Sequence, residues 1–286
     1  MLRDSHLVPL LPSAPLIGKE QPWRGVLLER HTVSVSEIPQ HEHREFCLHL
    51  QISGEEPVEW WSEGRHGVER TAPGSMILLP PGTRDRIVWH GASERLILSF
   101  RSSVLDEMTD ASELLPAEFT SHWSLHDPAL QRLVAEMGRE AAAGWPLGGL
   151  YADLVTISFA SHLLRRHAAD AVDLGEVKGG MPVPRLRRVM EYITENIGDD
   201  LRLEAMAHEI GLSPFHFARE FRAATGQTPY QYLLDQRIER AKGLLRTGTL
   251  PVQEIALMTG FRSPVNFVRS FRQRVGQPPG DWRKSA

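Results

Sequence analysis

Cysteine is almost missing from this 286-residue chain, in which Cys47 stands alone. A single thiol excludes an intrachain disulfide framework and any zinc site built on several cysteines, and it suits a reducing compartment. Long apolar runs are missing too, since none approaches the ~18 residues that a membrane helix needs. Met1–Gly18 carries Pro9, Pro12 and Pro15, with Asp4 ahead of a weak apolar run, which makes a poor signal peptide. The expectation is a cytoplasmic protein with no membrane partner. What is present, 41% hydrophobic and 24% charged residues, is enough to build a core in each of about two domains.

The net charge of −4 hides an asymmetry. From Val183 onward there are 16 Lys or Arg against 11 Asp or Glu, a net of +5, whereas residues 1–182 carry 16 against 25, a net of −9. A basic tail behind an acidic front suits a partner with phosphates.

The periodicity also changes along the chain, and with it the predicted fold class, α+β. Phe46, Leu48, Leu50 and Ile52 alternate with Cys47, His49 and Gln51, the period of a strand. Met76–Leu79, Ile87–Trp89 and Leu96–Phe100 read as further strands between Gly/Pro turns, which favours a sandwich or small barrel. Leu130, Leu133, Val134, Met137 and Ala141 then recur at helical spacing, followed by Leu150, Leu154, Ile157, Ser161 and Leu164. That second helix reads equally well as one packed on the β domain or as an interface helix. The expected boundaries are a β-rich domain with trailing helices over 1–169, a linker over 170–184 and an all-helical domain over 185–286.

The strongest signal is an internal repeat. Ser213–Pro229 and Ser263–Pro279 are identical at nine of seventeen positions, and the short helix ahead of each, ending at Gly211 or Gly260, repeats as well. A short helix, a turn with Gly and a second helix opened by Ser-Pro make a helix-turn-helix, present twice over about 203–225 and 252–275. Phe217 and Phe221, like Phe267 and Phe271, share a helix face and are read as core. Arg219 and Arg222, with their counterparts Arg269 and Arg272, lie on another face and suit contact with guanine edges or phosphates. The intervening helix, Tyr230–Arg246, is ~25 Å long and can hold the two units about one DNA turn apart.

These residues resemble the AraC/XylS family of bacterial transcription regulators over about Leu186–Arg283. The motifs are Ile210-Gly211-Leu212-Ser213, Phe217-x-Arg219-x-Phe221-Arg222, Gly226-x-x-Pro229, Arg237–Leu245 and Ile255-Ala256-x-x-x-Gly260-Phe261. The resemblance implies double-stranded DNA as partner, with Phe215, Ala218 and Arg219 facing bases in the first unit and Val265, Asn266, Val268 and Arg269 in the second. Arg222 and Arg272 fit phosphate contacts. RNA polymerase, a second copy of the chain and a small effector are the further partners it implies, with activation as the usual outcome. Where family members often place Ser or Thr before the first helix of each unit, Arg202 and Pro251 stand here, and each helix is expected to lose a cap worth about 1 kcal/mol.

The front half resembles the family's sensor, a cupin-like barrel followed by dimerisation helices, through His41-x-His43, Pro73–Leu79 and Pro80-Pro81-Gly82. His41, His43, Glu45 and Trp89 are the expected effector-pocket residues. His41 and His43 lie on one strand face as half a metal site would, with Glu45 and with Asp85 where metal-binding cupins carry a third His. With that ligand set incomplete, the expectation is no metal, no other cofactor and no enzymatic activity. A metal-dependent cupin enzyme joined to a DNA anchor, and a DNA-binding protein whose barrel only assembles dimers, are the alternatives. Trp60, Trp61 and Trp89 are read as core rather than as ligand wall.

Overall fold

The computed structural model describes residues 2–3, 6–7, 23, 25–109, 118–169, 181–248 and 250–285. Most of the expected linker and of Met1–Gly18 lies outside these residues. The chain forms two compact units, Met1–Gly144 with Ser158–Leu174 and Trp145–Ile157 with Gly175–Ala286.

In the first unit, short β-rich segments pair into two antiparallel sheets. The strands are β1 (Leu2–Arg3), β2 (His6–Leu7), β3 (Val26–Val33), β4 (Ser36–Glu42), β5 (Phe46–Ser53), β6 (Glu56–Ser62), β7 (Arg65–Thr71), β8 (Met76–Leu79), β9 (Arg84–Trp89), β10 (Ser93–Phe100) and β11 (His122–Leu125). One sheet runs β2-β1-β4-β9-β6-β7 and the other β11-β8-β5-β10-β3. Their inner faces share one core that includes Val33, Ile38, Val58, Trp60, Ile77, Trp89, Ile97 and Trp123. The cupin-like domain is therefore two packed sheets, with no closed barrel among the described strands.

Three helices follow, α1 (Ser102–Thr109), α2 (Pro128–Ala142) and α3 (Gly149–His167). Helix α2 lies on β3, β5 and β10. A Cβ on Gly138 of α2 would stand 2.5 Å from Leu96 Cδ1, so only glycine permits this approach. Phe159 of α3 meets the Phe100 ring edge-on at 5.3 Å, and Phe100 stacks on Phe46 at 4.8 Å.

This cover makes the alternation in β5 something other than inside against outside. Phe46, Leu48 and Leu50 face the helices, while Cys47, His49 and Gln51 turn into the sandwich, and all six are buried. Along the helix seam, Leu150, Ile157 and Leu164 of α3 are buried, while Leu154 and Ser161 are half-buried.

Polar groups inside the sandwich need partners. Arg95 Nη2 donates to Gln51 Oε1 at 2.9 Å, Glu56 Oε1 at 3.1 Å and Thr71 Oγ1 at 3.2 Å, and Arg95 Nε donates to Ser93 Oγ at 3.2 Å. Glu56 also accepts from Ser93 Oγ and from Gly91 N. Both charged side chains are fully buried.

The second unit contains α4 (Val183–Glu195), α5 (Leu203–His208), α6 (Pro214–Thr225), α7 (Pro229–Thr247), α8 (Val252–Met258), α9 (Pro264–Val275) and α10 (Pro279–Ser285). Leu234, Ile238, Ala241 and Leu245 of α7 pack with Ile255, Ala256, Phe261, Phe267 and Phe271. The repeat carries its packing with it: the rings of Phe217 and Phe221, and those of Phe267 and Phe271, lie 5.6 Å apart in both copies. Buried Arg237 of α7 donates to the carbonyls of Ile197 and Asp199, and burial lowers its pKa to about 10. Gly260, at φ +80°, leaves that guanidinium room, since a Cβ would sit 2.6 Å from Arg237 Nη2.

Glu56→Ala should destabilise the chain by about 3–5 kcal/mol, because it strands a buried guanidinium. Urea denaturation of the full chain measures this, and Glu56→Gln, which keeps an acceptor, should cost less.

Candidate functional site

The second helix of each helix-turn-helix is built for presentation. Ser213 caps α6 by accepting from His216 N at 3.3 Å, Pro214 and Pro264 open α6 and α9, and Gly226 and Gly276 close them in the left-handed region. Ser263, expected to cap α9 in the same way, makes no side-chain cap bond.

With the phenylalanines turned inward, Val265, Val268, Arg269 and Arg272 of α9 are exposed, as is Arg222 of α6, while Ala218 and Arg219 are half-buried. Two residues expected to face bases do not. Phe215 is only 4% exposed, whereas its counterpart Val265 is 76% exposed. The Phe215 ring lies beside His216 and under the Arg219 guanidinium, 4.9 Å from its centroid. Asn266 is 7% exposed because it shares the inner face of α9 with Phe267, Ser270 and Phe271.

The caps expected to be missing at Arg202 and Pro251 are indeed not supplied by those side chains. For α5 the acceptor comes from far along the chain. Asp153 Oδ2, in the part of α3 that belongs to this unit, accepts from Leu203 N at 3.0 Å and from Arg202 Nε at 2.9 Å. Asp200 in turn accepts from Gly149 N, at the start of α3, at 3.0 Å and pairs with Arg262. Each of these two helices is thus capped by an aspartate from beside or within the other. Periodicity gives no sign of this, because the partners lie about fifty residues apart.

In the β domain the register sets His41 opposite Asp85. His43 Nε2 donates to Asp85 Oδ2 at 3.1 Å, His41 Nδ1 lies 3.4 Å from Asp85 Oδ1, and the two imidazole rings are 4.7 Å apart. All three residues are buried and could hold a metal ion. Glu45 does not join them: it is exposed, on the turn before β5. Trp89 lies in the inner core with its ring 6.5 Å from that of His49.

Several polar atoms here lack a hydrogen-bond partner: His41 Nε2, both ring nitrogens of His49, and the indole N–H groups of Trp60, Trp89 and Trp123. His49 and Trp123 were not singled out by sequence reasoning, because a histidine inside an alternating strand reads as its solvent side. Burial lowers the pKa of His41, against the opposing pull of Asp85. Burial, helped by the charge of Arg95, holds His49 far below its ordinary value.

A β domain with a polar interior, joined to two helix-turn-helix units, is the architecture of a ligand-responsive DNA-binding regulator. A family model described as an AraC-like ligand binding domain matches residues 26–148, and a helix-turn-helix domain model matches residues 206–285. Regulatory protein SoxS of Salmonella typhimurium is 33% identical over 98 residues, 34% of this chain and 92% of its own. The HTH-type transcriptional regulator GlxA of Rhizobium meliloti is 31% identical over 192 residues, 58% of this chain, and the chain spans 59% of that relative's length. A solved structure of the AdpA DNA-binding domain with target DNA is 35% identical, covering 35% of this chain and 91% of that one, at a TM-score of 0.34. The chain belongs to the AraC/XylS family of transcription regulators. Among the described residues, no helix is long and apolar enough to cross a membrane.

Two outcomes follow from the caps and from the buried imidazoles. Asp153→Ala should cost the chain about 1–2 kcal/mol, since it removes a cap and an ion pair exposed enough to be partly screened. Asp153→Asn, which keeps the acceptor, should cost less, and urea denaturation compares the two. His49, held neutral when folded, takes up a proton on unfolding below its unfolded pKa of about 6.5. Its contribution to stability is therefore complete above pH ~6.5 and is lost as the pH falls from there toward the folded value. Thermal midpoints across this window should decline on acidification, and His49→Phe should flatten the decline.

Proposed function

We propose that this regulator reads two successive major grooves with α6 and α9, under the control of a small effector bound inside the β domain. The observation that carries the DNA reading is the repeated helix, opened by proline and closed by a left-handed glycine, that buries its phenylalanines and turns matched arginines to another face. Arg219 and Arg269 contact bases, with Ala218, Val265 and Val268 contributing apolar contact to thymine methyl groups. Arg222 and Arg272 bind phosphates, which position the protein without reading sequence.

The effector pocket is assigned to His41, His43 and Trp89, with Asp85 and His49 added and Glu45 removed. Support comes from the unpartnered imidazole and indole donors there, which suit an effector rich in acceptor oxygens. The protein acts as a homodimer that activates transcription through RNA polymerase, in the cytoplasm where the chromosome lies. A regulator of this kind needs no catalytic activity, and the assignment is non-enzymatic.

Selection of bound fragments from random DNA, followed by footprinting, tests the reading. Two half-sites about one helical turn, ~10 base pairs, apart are expected. Arg219→Ala and Arg269→Ala should each cost about 1–3 kcal/mol and relax preference only in that unit's half of the site. The loss should be larger for Arg219, which Phe215 holds in place. Arg222→Ala and Arg272→Ala should weaken all sequences alike and lower the salt slope by about one unit each. Uniform loss for Arg219→Ala would reduce that residue to a phosphate clamp.

A further inference from the structure

We propose that Asp127, His162 and His167 form a binding site for a divalent transition metal of the zinc class. The three residues come from two elements of the first unit. Asp127 is the N-cap of α2, and its Oδ1 accepts from Ala129 N at 2.9 Å and Leu130 N at 3.0 Å. Its other oxygen is turned away from the cap. Oδ2 meets Nε2 of His162 at 2.6 Å and Nε2 of His167 at 2.9 Å, and one ligand atom from each of the three residues lies within 4.8 Å of the others.

Two imidazole nitrogens and one carboxylate oxygen are a donor set suited to Zn(II), Co(II) or Ni(II). Donors held ~2.0–2.1 Å from a tetrahedral ion stand roughly 3.3 Å apart, so the two carboxylate–imidazole separations need to open by less than 1 Å. The carboxylate is already oriented, because the backbone of α2 fixes one oxygen and the other is turned to the two imidazoles. His167 is the last residue of α3, where the negative end of the helix dipole favours a cation. The three side chains are only partly buried, which leaves an entry path and room for a fourth ligand. The His122 ring, 6.1 Å from that of His167, is the nearest additional imidazole among the described aromatic contacts. A bound ion would clamp the last turn of α3 to the first turn of α2. His41, His43 and Asp85, by contrast, are sealed in the sandwich interior and belong to the assigned effector pocket.

The test uses the full chain, stripped with a chelator and titrated with ZnCl2 against a fluorescent zinc indicator. One equivalent should bind to the unmodified chain, His162→Gln/His167→Gln should lose at least tenfold in affinity, and His41→Gln/His43→Gln should retain the site. Histidine acylation by diethyl pyrocarbonate, mapped by mass spectrometry on the unmodified chain, reads the same site without substitution, and zinc should protect His162 and His167. Substoichiometric binding by the unmodified chain would reduce the cluster to a hydrogen-bonded staple and overturn the proposal. So would zinc retained at full affinity by the His162/His167 variant, or protection confined to His41 and His43.

Discussion

Burial of the five-stranded sheet on both faces is the constraint from which the first unit follows. One face must meet helices and the other must meet a second sheet, so along β8 and most of β5 neither set of alternating side chains reaches water. The chain gives its most apolar set, Phe46, Leu48, Leu50, Leu98 and Phe100, to the helices. His49, Gln51 and Arg95 therefore lie inside, and a polar interior between two sheets is stable only if its groups are paired. Arg95 and Glu56 solve that for charge. The imidazoles and indoles nearby leave donors unsatisfied, and a site for a polar molecule is the natural use of such a defect.

In the second unit the corresponding constraint lies at helix ends. Six- and seven-residue helices such as α5 and α8 have little internal hydrogen bonding to spare, so their free N-terminal N–H groups weigh heavily. Asp153 supplies an acceptor to α5, and Asp200 returns the favour to α3. The first helix-turn-helix is thus tied to the opening turns of α3 by two aspartates.

What was legible in the sequence was whatever is local or repeated. Phe217, Phe221 and the glycines recur at fixed spacing, and the helix-turn-helix units lie where the repeat put them. Strands Met76–Leu79 and Leu96–Phe100 were readable from apolar runs, whereas β3, β4, β6 and β7 mix charged and apolar residues without a clean alternation. The buried imidazole pair was half legible, since spacing put His41 and His43 on one face and only register could add Asp85. Glu45 was misplaced because nearness in sequence at a strand end does not carry a side chain inward. Neither the two capping aspartates nor Asp127 with His162 and His167 carries any local mark, because each is made of residues brought together from distant segments.

The two recognition helices share a sequence pattern and differ in how that pattern is used. On α9 the residue after the opening proline is Val265, small and largely exposed, with Arg269 exposed one turn later. On α6 the same position is Phe215, whose ring is too large to leave in water and folds under Arg219. In the proposed complex Arg219 would reach DNA from an aromatic platform, with part of its rotamer freedom already lost, whereas Arg269 would have to be ordered on binding. A pre-positioned guanidinium is better suited to distinguishing bases, and a free one to adapting to whatever the groove offers. On the proposed reading, equal motifs do unequal work: the first unit sets sequence discrimination, and the second adds affinity through contacts that tolerate variation.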